Sequence, residues 1–127
     1  MDKTKLLSLF VDCVDKLLGN NFPLPINEID SNIHLIENCR YYGICRRKKV
    51  SGKLVFTIGL NANFVRKGSE FAIITTIFHE LLHTLPECNN HGKTWKKYGK
   101  LVETLFGFPI RTKVGKDEGF NSNWLKN

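Results

Sequence analysis

SEFAIITTIFHELLHTLPECNNHG, residues 69–92, carries the signals that decide the architecture. Ser69 is a good N-cap, since its hydroxyl can accept from a backbone N–H that the first helical turn leaves without a partner, and Glu70 puts a negative charge at the positive end of the helix dipole. Phe71, Ile74, Phe78, Leu81 and Leu85 recur at spacings of three and four, which predicts a wide-faced buried helix running until Pro86 ends it. Within it stands His79-Glu80-Leu81-Leu82-His83. Histidines at i and i+4 lie one turn apart on one face, so both imidazoles reach a single ion, whereas Glu80 is offset and addresses a metal-activated water instead.

A catalytic zinc takes three protein ligands and keeps a fourth position for water, so two histidines need a third partner. His91 is the best candidate: Pro86 frees the chain to turn back, and Gly92 permits close backbone approach. Glu87 and Cys88 compete from the same loop, His34 from far upstream and Glu103 from the next helix. His91 is preferred because a loop needs several residues to reverse direction before it faces the helix again.

Working outward, Leu6, Phe10, Val14 and Leu17, with Leu7 and Leu18 beside them, predict an amphipathic helix over residues 4–18, stopped by Gly19-Asn20. Phe22-Pro23-Leu24-Pro25 must be extended. Residues 33–36 read as a strand, and residues 40–46 pair with residues 54–60 across a turn at Ser51-Gly52, with Arg46, Arg47, Lys48 and Lys49 at the hairpin tip. A last helix fits Lys93–Phe106, with Trp95, Tyr98, Leu101, Val102 and Leu105 on one face and Gly107 closing it. From about residue 109 the sequence is polar and poor in pattern. The order helix, strands, helix, helix predicts an α+β domain with a small antiparallel sheet packed on the central histidine-bearing helix.

Composition bounds the rest. A chain of 127 residues with 42% hydrophobic and 24% charged residues fits a single globular domain over 1–127. Asp12, Asp15 and Lys16 interrupt any signal-peptide core and no stretch approaches membrane-spanning length, so a cytoplasmic protein without membrane contact is expected. Cys13, Cys39, Cys45 and Cys88 form no Cys-x-x-Cys pair and read as reduced thiols. The net charge of +7, from 19 Lys and Arg against 12 Asp and Glu, favours polyanionic neighbours. Lys93, Lys96, Lys97 and Lys100 follow i, i+3, i+4, i+7 spacing, a basic stripe beginning beside His91 that fits nucleic acid or simply a solvated face.

The metzincin pattern does not apply, because its third histidine follows a His-x-x-Gly-x-x spacing and a Met-turn is needed, whereas the only methionine here is Met1. The run from His79 to His83, then Thr-Leu-Pro-Glu-Cys-Asn-Asn, then His91-Gly-Lys-Thr-Trp95 resembles the SprT-like family, which includes DNA-protein crosslink proteases. Tyr42-Gly43-Ile44-Cys45 and Phe56-Thr57-Ile58-Gly59-Leu60-Asn61 ahead of the motif helix are similar to the family's Gly-x-Cys and Ile-x-Leu-Asn order, so the likeness covers residues 40–107. It implies a minimal zincin-like domain, Zn2+ on His79, His83 and His91, Glu80 as catalytic acid and base, and proteolysis as the activity; the resemblance, the +7 charge and the lysine stripe taken together point to a protein substrate held near DNA. Many relatives carry a four-cysteine zinc ribbon after the protease core; no such cysteines occur before Asn127. Two rivals come from other classes: a metal-dependent nuclease, against which Glu80 argues, and a nucleic-acid-binding module whose structural zinc takes Cys88 as a fourth ligand.

Overall fold

Helix α1 (Lys3–Gly19) opens the fold in a computed structural model that describes residues 1–112. The Asp2 carboxylate caps it by accepting from the Lys5 N–H at 2.7 Å, and Leu6, Leu9, Phe10, Cys13, Val14 and Leu17 form the buried stripe. Asn21 leaves it with a left-handed φ of 64°, a conformation that asparagine tolerates. Leu7 and Leu18, expected beside the stripe, face solvent.

After a short 3-10 turn at Ile26–Glu28 come β1 (Ile29–Ile36), β2 (Gly43–Val50) and β3 (Lys53–Asn61), in the spatial order β1-β3-β2. The expected antiparallel sheet is mixed: β2 runs antiparallel to β3, but β1 runs parallel to it. The crossing that makes this possible is short. Ile36 pairs with Asn61 and Gly43 with Leu60, so residues 37–42 pass over the end of β3 from one side to the other. Buried Asn61 holds that crossing: its side-chain amide donates to the Cys39 carbonyl at 2.7 Å and its backbone N–H to the Tyr42 carbonyl at 2.9 Å. Its side-chain oxygen meanwhile accepts from the Phe64 N–H, capping helix α2 (Ala62–Lys67). This helix was not expected from the sequence.

The hairpin turn is the predicted Ser51-Gly52, with φ of 52° and 80°, the pair of left-handed residues that a two-residue turn between twisted strands needs. Arg46, Arg47, Lys48 and Lys49 are not at the tip. They lie in the ladder itself, opposite Thr57, Phe56, Val55 and Leu54.

On β3, Phe56, Ile58 and Leu60 alternate as buried positions, each contributing about 1.5–3 kcal/mol of apolar burial. Helix α3 (Glu70–Leu82) packs against α1, β2, β3 and α4 (Lys93–Phe106), which makes it the central element. Ser69 caps it as expected, its hydroxyl accepting from the Ala72 N–H at 3.1 Å. It ends three residues before the predicted stop at Leu85. The N–H groups of His83, Thr84 and Leu85 donate to the carbonyls of Glu80, Leu81 and Leu82, tightening the last turn, and Pro86 has no N–H to continue the ladder. Helix α4 has the predicted bounds, and Gly107 closes it with a left-handed φ of 80°. Among the described residues no helix is long and apolar enough to cross a membrane. Of the segment read as unpatterned from about residue 109, the part after residue 112 lies outside the described residues.

Candidate metal centre

Three elements bring three histidines together. His79 sits in the last turn of α3 and is buried, His83 is its C-cap, and His91 returns on the loop before α4. Glu87, with a φ of 62°, helps to turn that loop back. The Cys88 carbonyl lies 2.8 Å from His83 Nδ1. A carbonyl can only accept, so Nδ1 carries the proton and Nε2 presents a lone pair. His91 Nε2 stands 3.1 Å from His83 Nε2 and 3.1 Å from His79 Nε2.

Three ring nitrogens drawn this close together can converge on one cation. A tetrahedral ion with bonds of about 2.0–2.1 Å separates its nitrogens by roughly 3.3–3.4 Å, close to the spacing found. Burial pushes the His79 pKa down to about 3, with His83 and His91 adding to the shift and the Arg111 backbone opposing it. The pKa of His83 is lowered by burial, against the pull of the Cys88 carbonyl, and that of His91 by burial, then by His83 and Lys96. The rings are therefore disposed to be neutral, the state in which imidazole ligates. Among the described residues, His79, His83 and His91 form the group of His, Cys, Asp and Glu side chains that could hold a metal ion.

The competing ligands lie elsewhere. His34 faces Asp30 at 3.1 Å on β1, Glu103 is exposed on α4, and Cys88 meets the triad through its carbonyl rather than its thiol.

Glu80 lies beside the triad, with Oε2 3.8 Å from His79 Nε2. Burial raises its pKa to about 8. Gly43 of β2 makes room for it: a Cβ there would stand 2.7 Å from the Thr76 methyl and 2.9 Å from Glu80 Cγ, so only glycine lets the strand pass this close. Glu80 and His83 line a cleft of about 390 Å³, whose other walls include Cys45 and Arg47 of β2 and Asn89 of the returning loop. The Cys45 thiol is pushed up to about 12 by burial and by Glu80, so it stays protonated and unreactive.

Trp95 was legible as a core position of α4 and as the end of the family-like run from His91. It is also the floor of the site, with its ring centroid 4.5 Å from that of His91, 4.8 Å from His79 and 5.5 Å from His83. It lies in the first turn of α4, four residues after His91, and its place at the end of the run His91-Gly-Lys-Thr-Trp95 was the available signal. Lys93, Lys96, Lys97 and Lys100 are exposed along α4, and Lys96 is near enough to His91 to depress its pKa.

A small mixed sheet packed on a helix that contributes two histidines and a buried glutamate, with a third histidine returning beside them, defines an α+β domain with a possible three-histidine metal site. The SprT-like family model matches residues 16–114, and the chain belongs to that family. The match extends beyond residues 40–107 at both ends, taking in part of α1 and the segment after α4. Comparison with curated proteins and with solved structures finds no match.

Proposed function

We propose that this protein is a zinc-dependent metallopeptidase in which His79, His83 and His91 hold the ion and Glu80 is the general base. The observation that carries this reading is the convergence of three imidazole nitrogens beside a buried carboxylate that is not one of the cluster. When bound, zinc supplies a Lewis acid for the scissile carbonyl and the attacking water. Glu80 takes the proton of that water and passes it to the leaving amine, and burial gives its carboxylate the raised proton affinity that such a shuttle uses. The cleft against β2 receives the peptide, and the edge position of β2 in the described sheet offers backbone groups to an extended chain.

The test is metal content. Purified protein is expected to carry one zinc per chain, and His79→Ala, His83→Ala and His91→Ala each to lose it. Full occupancy in His91→Ala with loss in Cys88→Ala or Glu87→Ala would assign the third ligand elsewhere and favour a structural zinc.

Proteins associated with DNA are the proposed substrates, supported by family membership, the +7 charge and the lysines that begin beside His91. If the stripe holds phosphates, single-stranded DNA affinity falls with salt by roughly 0.7 log units per log unit of salt for each neutralised phosphate. Changing Lys93, Lys96, Lys97 and Lys100 to Glu then flattens that dependence while zinc stays bound. A titration of labelled single-stranded DNA at two salt concentrations checks it, and flat curves at both remove the nucleic-acid claim.

A further inference from the structure

His79 is held from two sides, and only one belongs to the triad. Its Nε2 faces His91, whereas its Nδ1 is fully buried and has no full hydrogen bond. From outside the triad the Arg111 backbone also acts on the ring, holding its pKa up against the downward pull of burial.

Arg111 arrives there by a built path. After Gly107 turns the chain, Phe108 packs against Phe71 and Phe78 of α3 with centroids at 5.1 and 5.6 Å. Ile110 then crosses α4 at Gly99, where a Cβ would stand 3.4 Å from Ile110 Cβ and Cγ2. A glycine inside a helix costs about 1 kcal/mol relative to alanine, and Gly99 is one of the buried positions of α4. What that glycine provides is a flat crossing for Ile110. The segment that the sequence shows as patternless is seated on both helices that carry the site.

We propose that residues 107–111 form a strap that positions His79 for metal, the Arg111 carbonyl accepting from Nδ1–H so that Nε2 is left as the ligating nitrogen. This matches the way the Cys88 carbonyl holds His83, so two of the three imidazoles take their tautomer from a main-chain oxygen. Arg111 is a positioning residue through its backbone, and the strap couples the segment after α4 to metal affinity. The inference rests on the zinc-site reading and adds a residue to it.

Two variants test it with metal alone as the probe. Replacing Thr112 by its α-hydroxy analogue turns the Arg111 carbonyl into an ester carbonyl, a poorer acceptor, without changing any side chain's shape. Gly99→Val retains a helix-compatible residue but occupies the crossing point of Ile110. Zinc affinity, measured against a competing chelator, is expected to fall about 10-fold in each, within the range seen when a partner of a metal-bound histidine is lost. The visible absorption of the cobalt-loaded protein should change as well, and the melting temperature of the metal-free ester protein should stay at the wild-type value. Ester protein that binds zinc within twofold of wild type, with an unchanged cobalt spectrum, overturns the strap even if Gly99→Val fails to fold. Wild-type protein that binds neither metal overturns the zinc site itself, a distinct result.

Discussion

Glu80→Gln is expected to reduce peptide hydrolysis by about 10²- to 10⁴-fold, the contribution of a positioned general base, while zinc content stays at the wild-type level. The substitution keeps the shape of a side chain that sits under Gly43 and beside Thr76, so the cleft keeps its walls. What it removes is the capacity to take a proton. Zinc should remain because the cluster of possible ligands is His79, His83 and His91, and Glu80 Oε2 is 3.8 Å from the nearest of those nitrogens. Stability provides an independent check. A carboxylate loses more hydration than an amide on burial, and Glu80 is 6% exposed, so the metal-free variant should melt no lower than wild type. Cleavage of a protein substrate, metal analysis and thermal unfolding on one preparation separate the outcomes. Retained cleavage removes Glu80 from the chemistry, and lost zinc makes it a ligand or a support.

The helices that flank the site were legible because each has one apolar face whose period survives in the sequence. Helix α4 matched in its bounds and in its stop at Gly107, with Trp95 and Val102 inward, although Leu101 and Leu105 of the expected face are exposed. Spacing likewise brought out His79 and His83, since i and i+4 fix a shared face before anything is known of the tertiary structure. Strand direction has no such signature. The parallel pairing of β1 depends on residues 37–42 crossing the end of β3 under the hold of Asn61, a long-range arrangement of hydrogen bonds that no periodicity records. The placement of Arg46–Lys49 failed for a related reason. Charges were assigned to the turn because solvation is easiest there, yet exposed positions of an edge strand solvate them as well. At the site, the missing pieces were main-chain atoms: the carbonyls of Cys88 and Arg111 have no side-chain identity to read.

Trp95→Ala is expected to destabilise the metal-free protein by about 3–5 kcal/mol, the usual cost of emptying a large aromatic site. Against a total of about 5–15 kcal/mol for a small domain, that is about a fifth of the stability or more, and the melting temperature should drop by roughly 10–20 °C. Trp95 is 1% exposed, so the neighbours that could collapse into the space are the triad and the two helices. Trp95→Phe should cost much less, because it keeps an aromatic ring and removes an indole N–H that has no hydrogen-bond partner among the described residues. The informative quantity is the increase in stability on adding zinc, which for a site at 1,000 times its Kd is about 4.1 kcal/mol. If Trp95 were filler alone, its loss and the zinc effect would be independent and the increment would be the same in wild type and in Trp95→Ala. Its ring lies 4.5–5.5 Å from all three imidazole centroids, so removing it frees the groups that must converge on the ion. The increment in Trp95→Ala should therefore be smaller than in wild type at equal free zinc, with Trp95→Phe in between. Equal increments in all three proteins would reduce Trp95 to a core residue and leave the placement of the histidines to α3 and the loop returning through Cys88.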